Sequence, residues 1–187
     1  LMDIESIIDR YYGENTPLRR ILLLHSEKVA EKALRIIEEK NLPLDRQFVH
    51  DAAMLHDIGI VFCDAKGIEC HGDAPYICHG LCGGRLLRDI AADLNMSADE
   101  IEPYARVCER HTGAGLTVCD IEKQSLPLPK KNFLPETMEE KLICYADKFF
   151  SKTRLTEEKN YASVLRSMQK FGEESGARFL ELHRLFG

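Results

Sequence analysis

The dipeptide His56-Asp57 closes an apolar helical stretch, Asp51-Ala-Ala-Met-Leu-His-Asp-Ile-Gly59, and both residue types ligate divalent cations. Neighbouring side chains on a helix point about 100° apart, so one ion can take both only where the helix ends and the backbone turns. Gly59 is the residue expected to permit that turn. Four more polar residues lie on apolar stripes: His25 with Leu22 and Val29, His79 with Gly83, Leu86 and Ile90, His111 with Tyr104 and Cys108, and Asp147 with Ile143, Ala146 and Phe150. A carboxylate facing a core is costly unless something compensates it, and so is a set of inward imidazoles. A shared metal centre resolves all of them together. Each residue alone has a plainer reading: His25 as a satisfied core histidine, Asp147 as a partner of Lys148, His111 as a helix cap. The case rests on five helices that each present one site to a core, with His56-Asp57 at the centre.

The elements that must position these residues are read as helices almost throughout. An amphipathic segment spans 3–12. Thr16 caps a helix that opens on Pro17 and runs to Glu39, with an apolar stripe at three-to-four spacing. Asp45 caps a helix ending at His56. Residues 58–76, with Gly59, Gly67, Gly72 and Pro75, read as a functional loop. Helix resumes over 77–94, and Ser97 with Glu100 forms a capping box for a helix reaching His111. Residues 112–135 are expected to be irregular, 136–153 a strong helix, and 157–186 one or two more. Neither a period-two segment nor a hairpin signal stands out. The expected fold class is all-α, a single compact helical domain over 1–187 with a C-terminal helical extension from 156.

With 187 residues, 44% apolar and 30% charged, the chain is long enough for a real core and ordinary in composition. No apolar run reaches the roughly 18 residues of a membrane span. The start, Leu1-Met2-Asp3, lacks a basic segment followed by an apolar one, and seven cysteines read as reduced thiols, so a cytoplasmic location is expected. A net charge of −6 without a Lys/Arg run argues against an extended nucleic-acid surface. A small anionic substrate fits if a pocket is locally positive, and a homodimer is compatible with the composition.

The order His25 … His56-Asp57 … Asp147 resembles the HD superfamily of metal-dependent phosphohydrolases. Cys78-His79-Gly80-Leu-Cys-Gly-Gly84 and Arg110-His111-Thr112-Gly113 are similar to the two extra histidine motifs of its binuclear members, and Tyr145-Ala146-Asp147-Lys148 to their last motif. The resemblance is closest to bacterial HD-type hydrolases that cleave diadenosine tetraphosphate symmetrically, and it covers residues 18–155. It implies an HD-type helical fold, with His25, His56, Asp57 and Asp147 on one metal and His79 and His111 on a second, Asp57 bridging. Nitrogen and oxygen donors without thiolate suit zinc, nickel or cobalt as well as the iron or manganese that the resemblance suggests. Two such cations would share and activate a water for attack on phosphorus, making His56 and Asp57 the catalytic centre. Lys148, Lys152, Arg110 and Thr112 are the candidate substrate contacts, with Lys152 expected four residues along the same helical face as Lys148.

One position departs from the resemblance. Many relatives carry a lysine three residues after the aspartate of the pair, where this chain has Ile60. Either Lys66 or Lys148 supplies that charge, or the substrate differs. The expected activity is hydrolysis of a nucleotide phosphoester or phosphoanhydride, first a dinucleoside polyphosphate and alternatively a nucleoside monophosphate or cyclic nucleotide. A reading from another class is a nucleotide-binding regulatory module, or a structural zinc domain built on Cys63, Cys70, Cys78 and Cys82, although no C-x2-C pair is present. His71 is an alternative ligand to His79. His50 is read as packing, 127–131 as a surface loop, and His183 as dispensable.

Overall fold

Capping and periodicity place the first three helices where the sequence puts them. The structure is a computed structural model that describes residues 2–187. Asp3 accepts the Ser6 amide at 3.0 Å and starts α1 (Ile4–Tyr12). Thr16 and Pro17 start α2 (Pro17–Glu39). Asp45 accepts the amides of Gln47 and Phe48 and starts α3 (Arg46–Leu55), whose C-cap is His56. A 3₁₀ turn over Ile58–Phe62 follows.

The segment read as a functional loop then folds into a small sheet of β1 (Cys63–Ala65), β2 (Cys70–His71) and β3 (Ala74–Pro75). Its order is β2-β1-β3, with β1 antiparallel to β2 and parallel to β3. Strands of two or three residues are too short to show a period of two, which is why the sequence pattern missed them.

The helix expected over 77–94 is α4 (His79–Ile90), flanked by 3₁₀ turns at Tyr76–Cys78 and Ala92–Leu94. The Ser97–Glu100 capping box forms and opens α5 (Ala98–Arg110), with His111 at its C-cap. A short α6 (Val118–Lys123) interrupts the stretch read as irregular, started by a Thr117–Asp120 capping box. The helix expected over 136–153 is α7 (Met138–Asp147); it stops six residues early, in three successive i→i+3 hydrogen bonds from Lys148, Phe149 and Phe150. The C-terminal helices are α8 (Tyr161–Gln169) and α9 (Glu173–Phe186). Among the described residues, no helix is long and apolar enough to cross a membrane.

The apolar residues form two clusters. One joins α2, α3, α7, α8 and α9 through Val29, Ala53, Ile143 and Phe179. The other joins α1, α4, α5 and the 58–62 turn through Ile8, Ile58, Leu87 and Cys108. Helices α2 and α3 contribute to both, and their histidines stand where the stripe passes from one cluster to the other. His25 lies between Leu22 of the second cluster and Val29 of the first; His56 lies between Ala53 of the first and Ile58 of the second. The polar centre thus occupies the seam between two apolar bodies.

Small residues bring α4 onto that seam. A Cβ on Gly59 would lie 2.1 Å from the His79 carbonyl oxygen and 2.3 Å from the Gly83 nitrogen, and one on Gly80 would lie 2.5 Å from the Cys108 oxygen. This corrects the reason for Gly59. It is not among the glycines with positive φ, so close backbone approach, not a left-handed turn, excludes a side chain there.

Candidate metal centre

Each of the six inward residues stands at or near a helix end, except His25 in the middle of α2. His56 caps α3, His79 opens α4, His111 caps α5, Asp147 ends α7, and Asp57 sits in the turn after His56. All six are buried; His56 and Asp57 have no exposed surface. Their ligand atoms converge in two groups sharing Asp57: His25, His56, Asp57 and Asp147, and Asp57, His79 and His111.

Asp57 presents a different oxygen to each group. Its Oδ2 lies 3.2 Å from His25 Nε2 and 3.1 Å from His56 Nε2. Its Oδ1 lies 3.3 Å from His79 Nε2 and 3.2 Å from His111 Nε2. Asp147 Oδ1 closes the first group, 2.9 Å from His25 Nε2 and 3.2 Å from His56 Nε2. Both Asp57 oxygens are buried and accept no well-aligned hydrogen bond, although a lysine and four imidazoles approach them. That is costly for a carboxylate and fits one that bridges cations.

The backbone fixes how three imidazoles face the centre. His56 Nδ1 lies 2.6 Å from the Ala53 oxygen, His79 Nδ1 2.6 Å from the Tyr76 oxygen, and His111 Nδ1 2.7 Å from the Cys108 oxygen. A carbonyl only accepts, so each Nδ1 carries a proton and donates it, and each Nε2 is left to face the carboxylates. This is the orienting contact that metal-bound histidines use. His79 Nε2 and His111 Nε2 lie 3.0 Å apart. Burial pushes His111 down to about 4, so it is neutral and its Nε2 is a lone pair. The Nε2 atoms of His79 and His111 and a carboxylate oxygen within van der Waals range form a donor set for a divalent cation, and the first group does the same with two imidazoles and two carboxylates.

Two lysines complete the charge balance. Lys148 Nζ lies 2.5 Å from Asp147 Oδ2 and donates to the His111 oxygen at 2.7 Å. Lys152 Nζ lies 2.7 Å from Asp57 Oδ2 and 5.7 Å above the Tyr76 ring centroid. Burial alone would raise the Asp57 and Asp147 carboxyls, but His56 and Lys152 around the first, and Lys148 and His25 around the second, hold both well below the usual range. Burial would lower His56, but Asp57 and Asp147 outweigh it and lift it to about 10. A cleft of about 410 Å³, lined by Tyr76, Asp147, Lys148, Phe150, Lys152 and Lys159 among others, opens over this edge.

Other expected site residues fall in different places. Lys152 is not on the α7 face with Lys148, because α7 ends at Asp147; the chain beyond the helix carries it back onto Asp57. Arg110 is turned away from the cleft. It donates to the Leu134 oxygen at 2.7 Å and pairs with Glu136 at 2.8 Å, anchoring the segment that leads into α7. Thr112 lines a small cavity on the far side of Lys148. Lys66 is exposed, and Ile60 is fully buried in the second apolar cluster, so Lys148 and Lys152 are the cations beside Asp57 and Asp147.

His71 is exposed beside Glu69, and His50 pairs with Asp51; neither joins the centre. The structural zinc reading is corrected too. All seven cysteines are free thiols, and among the described residues no metal-capable group includes one. Burial raises Cys63 to about 12 and Cys70 to about 11, which keeps them protonated.

His183 packs by stacking. Its ring lies 3.8 Å from that of Tyr161, and its Nδ1 is 2.8 Å from the Tyr145 hydroxyl. We expect His183→Ala to cost about 1 kcal/mol of stability through that lost contact while leaving turnover within about twofold. Urea unfolding and a steady-state assay on the same preparation check both halves.

No family model matches the chain. It is 33% identical over 135 residues to a tRNA (cytidine(56)-2'-O)-methyltransferase of Picrophilus torridus, a match covering 72% of this chain and 33% of that protein. It is 36% identical over 132 residues to an uncharacterised protein of Methanocaldococcus jannaschii, covering 71% of this chain and 65% of that one. A second tRNA (cytidine(56)-2'-O)-methyltransferase, of Thermoplasma volcanium, is 29% identical over 164 residues, covering 87% of this chain and 41% of that protein. The matches therefore span from 33% to 65% of the length of these curated relatives. Among solved structures, the HD domain of the L. monocytogenes phosphodiesterase PgpH superposes with a TM-score of 0.53 at 13% identity, covering 97% of this chain and 95% of that one. The fold is therefore the all-α fold of an HD domain.

Proposed function

We propose that the chain is a metal-dependent phosphohydrolase acting on a small nucleotide. His25, His56, Asp57 and Asp147 would hold one divalent cation, and Asp57, His79 and His111 a second. The observation that carries this reading is Asp57, whose two buried oxygens are each flanked by a separate pair of imidazole nitrogens, with Lys152 Nζ 2.7 Å from one of them. Six side chains leave coordination positions open, as a catalytic site requires. Cations bound there would supply an activated water and Lewis acidity toward phosphate oxygens. The resemblance to HD proteins suggests iron or manganese, and the nitrogen and oxygen donors suit zinc, nickel or cobalt as well.

The protein's own contribution is orientation and charge. Carbonyls of Ala53, Tyr76 and Cys108 hold three rings in place. With Lys148 and Lys152 already balancing the two carboxylates, cations added to the centre make it strongly positive within a chain of net charge −6. An anionic phosphate chain is the ligand such a focus attracts. A dinucleoside polyphosphate is the first candidate substrate, as the motif order suggests, and nucleoside monophosphates and cyclic dinucleotides are the alternatives. The free thiols fit a reducing, cytoplasmic setting. The relatives named as methyltransferases match over 33% and 41% of their length, so their name need not describe the matched segment, and the buried imidazole–carboxylate cluster is the chemistry that this chain carries. That weighs toward hydrolysis for the segment this chain represents.

The test is turnover of the manganese-loaded chain against dinucleoside polyphosphates, nucleoside monophosphates and cyclic dinucleotides. We expect at least one class to release a phosphorylated product, with the activity lost on chelation and regained with metal. A chain that holds about two metals yet turns over none of these substrates would refute the proposal.

A further inference from the structure

A second cavity lies on the other side of Lys148, and nothing described so far uses it. Its volume is about 180 Å³, and it is far more enclosed than the cleft over Asp147. Leu116, Leu126, Met168 and Phe171 form apolar walls, while Thr112 and Lys148 connect it to the metal centre. The residue after His111 is Thr112, and Lys148 Nζ is the atom that touches both Asp147 and the His111 oxygen. Lys148 thus lines both spaces, so a single molecule can span the cavity and the centre.

Three features fit the cavity to a planar heterocycle. Its volume is below the roughly 300–1,000 Å³ of a drug-sized site, so it takes one ring system and not a whole nucleotide. Phe171 is a large aromatic left 59% exposed in the turn between α8 and α9, at the edge of a cavity it helps to line. An exposed ring beside an apolar slot is a stacking surface. Finally, the buried Ser175 and the exposed Gln124 at the rim line the cavity without a side-chain hydrogen bond to another described residue, which leaves a hydroxyl and a carboxamide for the edge of a base. The opposite wall is held stiff by Arg178, which pairs with Asp120 at 2.8 Å and donates to the oxygens of Ala114 and Gly115.

We propose that this cavity binds the nucleobase of the substrate, with Phe171 stacking on the ring and Gln124 and Ser175 reading its edge, while Lys148 carries the phosphate toward the metal centre. The assignment rests on the phosphohydrolase reading for the phosphate half alone; the ring half stands on the cavity. It also explains why residues 112–126 leave α5 and return: they build the wall that faces Met168 and Phe171.

The test uses the zinc-loaded full chain, which is diamagnetic, with adenosine and ribose 5-phosphate as separate probes followed by NMR, and AMP followed by calorimetry. Adenosine, which has no phosphate, is expected to shift the amides of Thr112, Gln124, Phe171 and Ser175. Phe171→Ala and Ser175→Leu should each weaken AMP binding about tenfold, the size of a lost base–aromatic stack, and leave ribose 5-phosphate binding unchanged. If adenosine leaves these amides unmoved in the folded protein, or if Phe171→Ala weakens AMP and ribose 5-phosphate equally, the base pocket is wrong. If adenosine binds there but no nucleotide is hydrolysed, the pocket stands and the phosphohydrolase reading falls.

Discussion

Asp57→Ala is expected to abolish phosphohydrolase activity, with a loss on the order of a thousandfold or more, and to remove metal from both positions. Deleting an outer hydrogen-bond partner of a metal ligand costs roughly 10–100-fold, and a bridging ligand does more because two cations depend on it. Each Asp57 oxygen serves a different pair of histidines, so neither group is complete without it. The substitution also leaves Lys152, which is paired with Asp57 Oδ2, buried beside Asp147 as its only remaining carboxylate. Asp57→Asn separates the two effects. It keeps the shape, loses the charge, and should lose activity and metal while unfolding at a denaturant concentration closer to that of the parent chain. Metal analysis of both variants beside their rates decides the matter. Full activity and full metal content in Asp57→Ala would mean that the centre is not a bridged pair.

The parts of this arrangement that could be read from the chain are those encoded locally. Caps at Thr16, Asp45 and Ser97 and the three-to-four stripes place α2, α3 and α5 within a residue or two. The same stripes mark His25, His56, His79, His111 and Asp147 as inward, because a polar residue on an apolar face is informative on its own. What was not legible depended on contacts distant in sequence. The sheet at 63–75 is built from strands too short to have a pattern. The end of α7 is marked by neither proline nor glycine, so the pattern extends the helix over Lys152 and places its side chain on the α7 face, whereas the helix ends at Asp147 and Lys152 pairs with Asp57. Arg110 reads as a free cation until Glu136 and Glu140 fold against it. One miss had a usable signal: Thr117 with Asp120 is a capping box, and it starts α6.

Lys152 shows what that early end of α7 achieves. A helix continued through Thr153 would carry Lys152 onward with the α7 axis. Breaking at Asp147 lets residues 148–152 wrap the buried histidine–aspartate cluster and bring two ammonium groups to it. The position that carries a lysine in many HD proteins is here an isoleucine buried in the second apolar cluster. The lysines beside Asp57 and Asp147 come instead from the chain after α7, while Ile60 packs in the apolar cluster that includes α4.

Removing metal is expected to lower the melting temperature by about 10 °C. A ligand present at a thousand times its dissociation constant stabilises the state that binds it by about 4 kcal/mol, and for a chain of this length each kcal/mol is worth roughly 2–4 °C. Four helix ends and the middle of α2 converge on these atoms, so the native fold brings the donors together and an unfolded chain does not. The effect has a predictable pH dependence. In the metal-free protein His56 is raised from 6.5 to about 10. A raised value means that its proton stabilises the metal-free fold fully below 6.5 and that this stabilisation is lost as pH climbs through about 10. The same proton must leave before a cation takes Nε2, so metal affinity rises over the same interval. The gap between the melting temperatures of metal-loaded and chelated protein should therefore widen from pH 6 to pH 9. His183→Ala should lower both temperatures together and leave the gap intact, whereas Asp57→Asn should close it. A gap that stays the same across that range would overturn the coupling to the His56 proton, and a chelated protein that melts with the loaded one would show that the buried histidines and carboxylates hold the fold together without any cation.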